Sequence, residues 1–220
     1  MKEAYRKARA VFDLVFDGAN ASIFNNPELY DGIERFWIFR RSQLAEATAS
    51  FIDEIVAGKS IILDLAAGTG MLTHALQKRG HCVTGFDLHI AMLKGMKSKS
   101  SETNPAAVVA DMNKTFPFGD NSFDVVATLR ANRFIQGDSF YKESHRMLRT
   151  NGLFVLPVFP IDRPFWWKEA GVKQHTTAKD IALDLRQIGF SDVQTIPGRT
   201  VLHGANIPPY YIPTYLVAKK

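Results

Sequence analysis

Three aspartates each follow a short apolar run of the kind that forms a buried strand, and a glycine turn comes after the first of them. Asp64 lies four residues before Gly68, Gly70 completes the turn, and Asp87 and Asp111 follow the next two runs. Glycine at both turn positions permits a sharp bend and removes the Cβ atoms that would keep a ligand away from the backbone. The helix after the turn directs amide groups toward the same space, which suits an anionic group.

The three carboxylates suit different parts of a nucleoside that carries a positive charge. Asp87 can accept two hydrogen bonds from vicinal ribose hydroxyls. Asp111 can accept one from an exocyclic amine such as that of adenine, while Met112 packs on the ring. Asp64 is placed to organise the glycine turn and to face an amino or sulfonium group. Each feature alone also has an ordinary explanation as a turn or a helix cap, but their order along the chain favours a shared ligand site.

One position distinguishes two cofactors that fit this pattern. A dinucleotide-binding turn has the pattern G-x-G-x-x-G, whose third glycine lets the helix pack beside a pyrophosphate. Thr73 occupies that third position here. The acids and the small amount of anion-binding chemistry favour S-adenosylmethionine, so an NAD-dependent oxidoreductase is the weaker alternative.

The elements that must hold these residues alternate between strands and helices. Apolar runs predict strands at 60–65, 81–86, 106–110, 123–128 and 153–158, and helical spacing predicts helices at 1–17, 33–56, 71–79, 90–96 and 138–149. This alternation indicates βαβ units and a parallel sheet. A last helix at 177–188 precedes strands at 190–196 and 210–217, joined by a long loop. Two strands joined without a helix pair most easily antiparallel, so the sheet is expected to be mixed at one edge.

Several segments resemble the class I S-adenosylmethionine-dependent methyltransferases, in the branch that includes the ubiquinone and menaquinone biosynthesis enzymes. They are 63–70 (LDLAAGTG), 83–87 (VTGFD) with Met92 and Leu93, 110–112 (ADM), 116–126 (FPFGDNSFDVV) and 146–152 (RMLRTNG). The resemblance covers roughly residues 60 to 158. It implies an α/β, Rossmann-like fold with a seven-stranded, mostly parallel sheet, an antiparallel last strand, helices on both faces and an N-terminal helical cap.

The resemblance also implies which residues bind the cofactor, and they follow the strands in order. They are Asp64, Ala66, Gly68, Thr69 and Gly70 around the methionine portion; Asp87 and Leu88 at the ribose, with Met92 nearby; Asp111 and Met112 at the adenine; Leu129 and Arg130 after the fourth strand; and Tyr30, with Arg35, upstream.

Two departures from the family pattern concern residues close to this site. His89 stands where relatives usually have a small hydroxyl residue that caps the helix. Arg130 and Arg133 follow the fourth strand, where relatives commonly have Asn or His. The arginines could bind an anionic substrate or the cofactor carboxylate, or point to solvent, and the sequence leaves these three roles open.

The predicted function is transfer of a methyl group, by direct in-line displacement, to an O, C or N atom of a small molecule. The sulfonium is already activated, so no general base stands out, and the only histidines with some claim to a catalytic role are His175 and His203. The single cysteine, Cys82, excludes a cysteine-based zinc site, and no metal is expected. An RNA- or protein-modifying methyltransferase is the main alternative, because the net charge is +5. A non-catalytic nucleoside-binding protein is another.

Length and composition agree with one globular unit. The 220 residues are 46% hydrophobic and 22% charged, which excludes a disordered or fibrous chain. We expect a single domain, with a helical cap at 1–57, a cofactor-binding core at 58–158 and a substrate-side part at 159–220. No apolar stretch reaches the roughly 20 residues that a membrane helix needs, and no secretory signal is visible, so a cytoplasmic location is predicted. The oligomeric state stays open.

Overall fold

A computed structural model describes residues 26–99, 104–132, 134–159, 177–205, 207 and 212–220, without the side chains of residues 29–41. The helices are α1 (Pro27–Ile55), α2 (Met71–Lys78), α3 (Ile90–Ser98), α4 (Ser139–Met147), α5 (Ala178–Ile188) and α6 (Gly198–Val201). The strands are β1 (Ile61–Leu65), β2 (Cys82–Asp87), β3 (Ala106–Val109), β4 (Phe123–Thr128), β5 (Leu148–Val158), β6 (Val193–Pro197) and β7 (Thr214–Lys219). The predicted helix at 1–17 lies outside these residues.

The strands form one seven-stranded sheet in the order β3-β2-β1-β4-β5-β7-β6. All pairs from β3 to β5 are parallel, and β7 runs antiparallel to both β5 and β6. The predicted sheet, with its antiparallel last strand, is therefore confirmed. The strand order reverses between β1 and β4, which is where ligands of open α/β sheets bind, at the carboxyl ends of the strands.

Two apolar layers cover the two faces of the sheet, because successive strand residues point to opposite faces. Ile62 of β1 packs with Leu44 and Leu76, which come from α1 and α2. Leu63, the next residue of β1, packs with Phe140 of α4 and other residues of α4 and α5. Helices therefore lie on both faces, as predicted. We call these the α1–α2 face and the α4–α5 face.

Several boundaries differ from the sequence prediction, most of all around β5. The sequence predicts a helix at 138–149, but α4 ends at Met147 and β5 begins at Leu148. Leu148 pairs with Phe123, whereas Leu153 pairs with Val125, so the ladder is irregular between the two pairs. Asn151 has a positive φ of 66°, consistent with a bulge. Leu148 is fully buried, and an apolar residue suits a buried position in a helix as well as in a strand, so its type could not distinguish the two.

Smaller differences affect the ends of the chain and one side chain. Helix α1 begins at Pro27 rather than 33, and residues 198–201 form the short helix α6 inside the predicted loop. Cys82 lies in the apolar run of β2 but is exposed. No helix of the described part of the chain is long and apolar enough to cross a membrane.

The connection between β3 and β4 is held by two residues of α4. Glu143 accepts a hydrogen bond from the backbone amide of Phe116, with a separation of 2.7 Å. Arg146 donates to the Phe118 carbonyl at 2.9 Å and pairs with Asp120. Its guanidinium also holds the pKa of Glu143 below the usual range. This contact joins two of the segments that carry the family resemblance, 116–126 and 146–152. Part of their sequence pattern is therefore explained by structure rather than by cofactor binding.

A buried polar contact joins α1 to the sheet. Thr48 donates to the carbonyl of Leu44 at 2.7 Å, and the Tyr215 hydroxyl of β7 lies 2.6 Å from the same Thr48 oxygen. Thr48 and Tyr215 are both fully buried. Since Thr48 uses its proton on Leu44, Tyr215 is the donor in their contact.

We expect Tyr215→Phe to lower the free energy of unfolding by about 1 kcal/mol, because one buried hydrogen bond is lost while the ring packing stays. Urea denaturation of the wild type, Tyr215→Phe, Thr48→Val and the double variant measures this. The cycle should give a coupling of about 1 kcal/mol. Strictly additive single effects would show that the two hydroxyls do not stabilise each other.

Candidate functional site

The chain leaves β1 through a turn with alternating left-handed residues. Ala66, Gly68 and Gly70 have φ values of 57°, 55° and 84°. The turn is tied to β2, because the Ala67 amide donates to the Phe86 carbonyl at 3.0 Å. The Gly68 amide donates to Asp87 Oδ2 at 2.9 Å. This brings the first two strand ends of the predicted site into direct contact.

The two glycines of the turn serve different purposes. A Cβ on Gly70 would lie 2.3 Å from Met96 Cγ and 2.9 Å from His74 Nε2. Gly85 of β2 faces the same Met96, whose Sδ would be 2.7 Å from an added Cβ. Gly70 is therefore needed for internal packing of α3. A Cβ on Gly68 would meet none of the described residues within 4 Å, so this glycine borders open space among them.

Asp64 is buried beneath the start of α2, with 1% of its surface exposed. Its Oδ2 accepts a hydrogen bond from the Thr73 hydroxyl at 2.7 Å. The backbone of Thr73 also binds the carboxylate. Gly70, the N-cap residue, offers no side chain, so Asp64 takes over the capping of α2 from the neighbouring strand. Oδ1 of Asp64 has no hydrogen-bond partner among the described residues.

Burial raises the pKa of Asp64 from 3.8 to about 7, against the opposing effect of its hydrogen bonds with Thr73 and with a further raising contribution from Asp87. The folded state thus binds this proton more tightly than the unfolded state. The contribution of Asp64 to stability is therefore full below about pH 4, falls as the pH rises and is lost above about pH 7.

We expect Asp64→Asn, which has no proton to lose, to gain stability relative to the wild type as the pH rises from 5 to 7. The gain should be about 2 kcal/mol over that range, since one pKa unit corresponds to about 1.4 kcal/mol. Denaturation of both ligand-free proteins at pH 5, 6, 7 and 8 measures the difference. A difference that is the same at all four values would contradict the raised pKa.

Asp87 lies on the same face of the sheet as Asp64. Asp64 pairs with Gly85, and paired residues of neighbouring strands point to the same side, so Asp87, two residues further, does too. Asp87 Oδ1 accepts from the His89 amide at 2.9 Å, and His89 Nδ1 lies 3.5 Å from the same oxygen. His89 thus occupies the N-cap position of α3 without a side-chain cap bond. Its imidazole contacts the carboxylate that was predicted to hold the ribose.

Asp111 follows β3, the strand next to β2. Its Oδ1 accepts from the backbone amide of Asn113 at 2.9 Å, and Met112 between them is half-buried against the α4–α5 face. Val109 pairs with Asp87, so the third strand end lies beside the second. The three predicted carboxylates consequently lie at or just after the carboxyl ends of three neighbouring strands, β1, β2 and β3.

Arg130 and its neighbours lie after β4, across the point where the strand order reverses. Arg130 has a positive φ of 69°, which is unusual for a residue with a side chain. Its guanidinium carbon lies 5.6 Å from the ring centroid of Phe159, the residue that follows β5. Leu129 packs against the α1–α2 face. Of the roles that the sequence left open for Arg130, the contact with Phe159 argues against a side chain that only points to solvent.

The remaining predicted residues differ in exposure. Leu88 is 54% exposed beside Asp87, whereas Thr69 and Met92 are buried, with 2% and 1% of their surfaces exposed. Met92 therefore lies in the core, under the site. His203 is exposed in the turn after α6. The side chains of Tyr30 and Arg35, and the whole of Arg133 and His175, lie outside the described residues, so their assignments stay predictions.

Sequence reasoning missed two structural residues of the site. Thr73 was considered only as the missing third glycine, but its hydroxyl binds Asp64. Met96 fills the space that Gly70 and Gly85 leave free, and it is fully buried. The signal for Thr73 was its position three residues into a helix whose N-cap is glycine. The contacts of Met96 join three separate segments, and no local pattern reveals them.

The arrangement fits a cationic nucleoside better than a pyrophosphate. A buried carboxylate oxygen without a partner lies under the turn, where a pyrophosphate would need hydrogen-bond donors. The position of the third dinucleotide glycine is used to bind that carboxylate. Gly68 leaves room for a ligand at the backbone, and two further carboxylates follow the neighbouring strands.

Comparison with known proteins finds similarity to methyltransferases. Residues 63–156 match the family model described as a methyltransferase domain. The chain is 30% identical over 171 residues to a demethylmenaquinone methyltransferase of Thermobifida fusca, which covers 74% of this chain and 67% of that protein. It is 28% identical over 95 residues to an 18S rRNA (guanine-N(7))-methyltransferase of Schizosaccharomyces pombe, covering 43% of this chain and 34% of that protein. The chain thus spans about two thirds of the bacterial relative and a third of the yeast one.

Solved structures agree on the fold. A Burkholderia thailandensis 1,6-didemethyltoxoflavin-N1-methyltransferase, with 1,6-didemethyltoxoflavin and S-adenosylhomocysteine bound, superimposes with a TM-score of 0.61 at 20% identity. The match covers 99% of this chain and 89% of that one. The sheet order, the acidic strand ends and the similarity to the Thermobifida enzyme lead to one conclusion: this chain belongs to the class I S-adenosylmethionine-dependent methyltransferases, and S-adenosylmethionine is its cofactor.

Proposed function

We propose that this methyltransferase transfers a methyl group to an O, C or N atom of a small molecule, by direct in-line displacement, at the carboxyl edge of β1, β2 and β4. The observation that carries the proposal is Asp64, a buried carboxylate whose Oδ1 has no hydrogen-bond partner among the described residues and whose strand leads into the turn at Gly68. Burying such a group is unfavourable unless a ligand compensates it. When bound, S-adenosylmethionine supplies a methyl group that its sulfonium charge already activates.

Each carboxylate has a distinct role in this proposal. Asp64 faces the cationic, methionyl end of the cofactor, with Ala66, Gly68 and Gly70 shaping the turn around it. Asp87 binds the ribose hydroxyls, and its contact with the Gly68 amide fixes its orientation. Asp111 and Met112 bind the adenine. Leu88, which is exposed beside Asp87, provides apolar surface next to them.

The chain contributes to the reaction mainly by positioning and by excluding water, since the electrophile needs no further activation. The acceptor must lie opposite the sulfur, next to the residues after β4. Arg130 and Phe159 lie there, in contact with each other. A general base is needed only for an acceptor whose proton has a high pKa, and His203 and His175 stay predictions for that role. The cytoplasmic location predicted from the sequence also stays a prediction.

Isothermal titration with S-adenosylhomocysteine, followed by incubation with methyl-labelled cofactor and a metabolite extract, tests the proposal. We expect binding, and label in a small molecule that chromatography separates from the unreacted cofactor, rather than in RNA or protein. Asp64→Asn is the matched control, and at a limiting cofactor concentration it should transfer less label. Binding without any labelled small molecule would contradict the choice of acceptor, and no binding would contradict the site.

RNA is the second candidate acceptor, because the chain resembles the yeast rRNA enzyme over 95 residues. Lys94 and Lys97 are exposed on α3, the helix that follows Asp87, and could contact phosphates there. Filter binding of ribosomal RNA at 50 and 200 mM salt distinguishes the two. RNA is favoured if affinity falls with salt and if Lys94→Ala and Lys97→Ala make that fall smaller. The absence of saturable RNA binding favours a small molecule.

A further inference from the structure

Asn113 is the one residue after β3 whose side chain reaches the segment after β4 in the described hydrogen bonds. Its carboxamide nitrogen donates to the Phe134 carbonyl at 3.1 Å. Its carboxamide oxygen accepts from the Gln136 amide at 2.8 Å. Both ends of the side chain are therefore used, on residues 21 and 23 positions further along the chain.

The backbone of Asn113 is joined to Asp111 on the other side. Its amide donates to Asp111 Oδ1 at 2.9 Å, which fixes the direction of the carboxylate proposed to bind adenine. The same residue thus contacts both loops that border the site. The loop after β3 carries the proposed adenine contacts, and the segment after β4 begins with Leu129 and Arg130, on the side where the acceptor must lie.

A carboxamide suits this pair of contacts, because it carries a donor and an acceptor on separate atoms. One end must donate to a carbonyl while the other accepts from an amide, and an aspartate at this position would face the Phe134 carbonyl with a second acceptor. Phe134 is 40% exposed, and its neighbour Ile135 is buried with 4% of its surface exposed. The segment after β4 is therefore held in two ways, by the hydrogen bonds of its backbone to Asn113 and by the burial of Ile135.

We propose that Asn113 is a positioning residue that joins the adenine side of the site to the acceptor side, so that a bound cofactor orders the segment after β4. The inference rests on the proposed cofactor residues. Adenosyl binding holds Asp111, Asp111 holds the Asn113 backbone, and the Asn113 carboxamide holds the backbone at 134 and 136.

Hydrogen exchange with and without S-adenosylhomocysteine tests the coupling in the full chain. In the wild type, we expect the ligand to slow exchange both in 66–72 and in 129–138. In Asn113→Ala, at saturating ligand, protection of 66–72 should remain while that of 129–138 falls about fivefold, because two hydrogen bonds are lost. Asn113→Asp, which keeps the acceptor but loses the donor, should lie between the two.

Ser122→Ala is the matched control. It removes a side-chain hydrogen bond of similar length, 2.8 Å to the Gly119 carbonyl, from the far end of the same connection. Its exchange pattern should equal that of the wild type. Equal protection of 129–138 in Asn113→Ala and wild type would overturn the inference, as would a wild type in which the ligand protects 66–72 alone. Failure of the wild type to bind at all would instead contradict the proposed site.

Discussion

Asp64→Asn is expected to weaken binding of S-adenosylmethionine by about 10- to 100-fold at pH 8, while the folded protein stays intact. Hydrogen bonds with a charged partner contribute about 1.5–3 kcal/mol, which corresponds to that range. Asparagine keeps an acceptor for the Thr73 hydroxyl, so the start of α2 should remain capped. Isothermal titration gives the two dissociation constants.

This substitution is expected to change stability and binding in opposite directions. Ionised Asp64 is unfavourable in the free protein above pH 7, because burial raises its pKa to about 7. A cationic ligand favours the ionised form, so wild-type affinity should increase from pH 6 to pH 8, and that of Asp64→Asn should not. A residue whose replacement stabilises the fold but weakens ligand binding serves function rather than stability.

Two ligands and one control variant sharpen the result. S-adenosylhomocysteine lacks the sulfonium charge but keeps the amino group. Equal weakening of both ligands assigns Asp64 to the amino group, whereas weakening of S-adenosylmethionine alone assigns it to the sulfur. Asp124→Asn, at the amino end of β4, replaces one of the two oxygens that accept from Ile61 and Arg149 and should leave both affinities unchanged. Unchanged affinity in Asp64→Asn would contradict its place in the site.

Gly70→Ala is expected to be the most destabilising exchange in the turn, lowering the free energy of unfolding by about 3 kcal/mol. A left-handed backbone costs alanine about 1 kcal/mol, and overpacking costs about 1–3 kcal/mol more. The added Cβ would lie 2.3 Å from Met96 Cγ, at a φ of 84°. Urea denaturation measures the loss.

Gly68→Ala provides the matched comparison two residues away. It carries the same left-handed cost of about 1 kcal/mol but meets nothing within 4 Å, so the fold should tolerate it. Its methyl group enters the space proposed for the cofactor, and an extra methyl in a closed site costs about 10-fold or more in affinity. Gly70→Ala should therefore mainly lower the stability of the fold, whereas Gly68→Ala should mainly lower the affinity for S-adenosylhomocysteine.

Met96→Ala in the Gly70→Ala background identifies the cause of the destabilisation. Removing the side chain that the new Cβ strikes should make the double variant more stable than the sum of the single effects predicts. Additive effects would show that backbone strain alone is responsible. Equal stability of Gly68→Ala and Gly70→Ala would contradict the different roles of the two glycines.

Much of the core fold was predictable because its signals are local. The apolar runs of β1, β2 and β4 lie between turn residues, and β4 was predicted with its observed bounds. The N-terminus of α5 was also predicted to within one residue from the helical spacing of its apolar residues, and the structure adds a capping box of Thr177 and Asp180 there. The start of β5 was not predictable. Its first residues satisfy a helical pattern as well, and only pairing with β4 decides between the two.

For the candidate site, the sequence alone determined which residues follow which strands, and from them the cofactor class, because a strand's end and the next turn are adjacent in the chain. The tertiary structure decided how those residues are used. It placed the Thr73 hydroxyl against Asp64 and packed Met96 against Gly70, while Gly68 has no such neighbour. It also joined the Asn113 side chain to the segment after β4 by hydrogen bonds. Such contacts depend on the distance and direction between separate elements, and composition, spacing and periodicity carry no information about either.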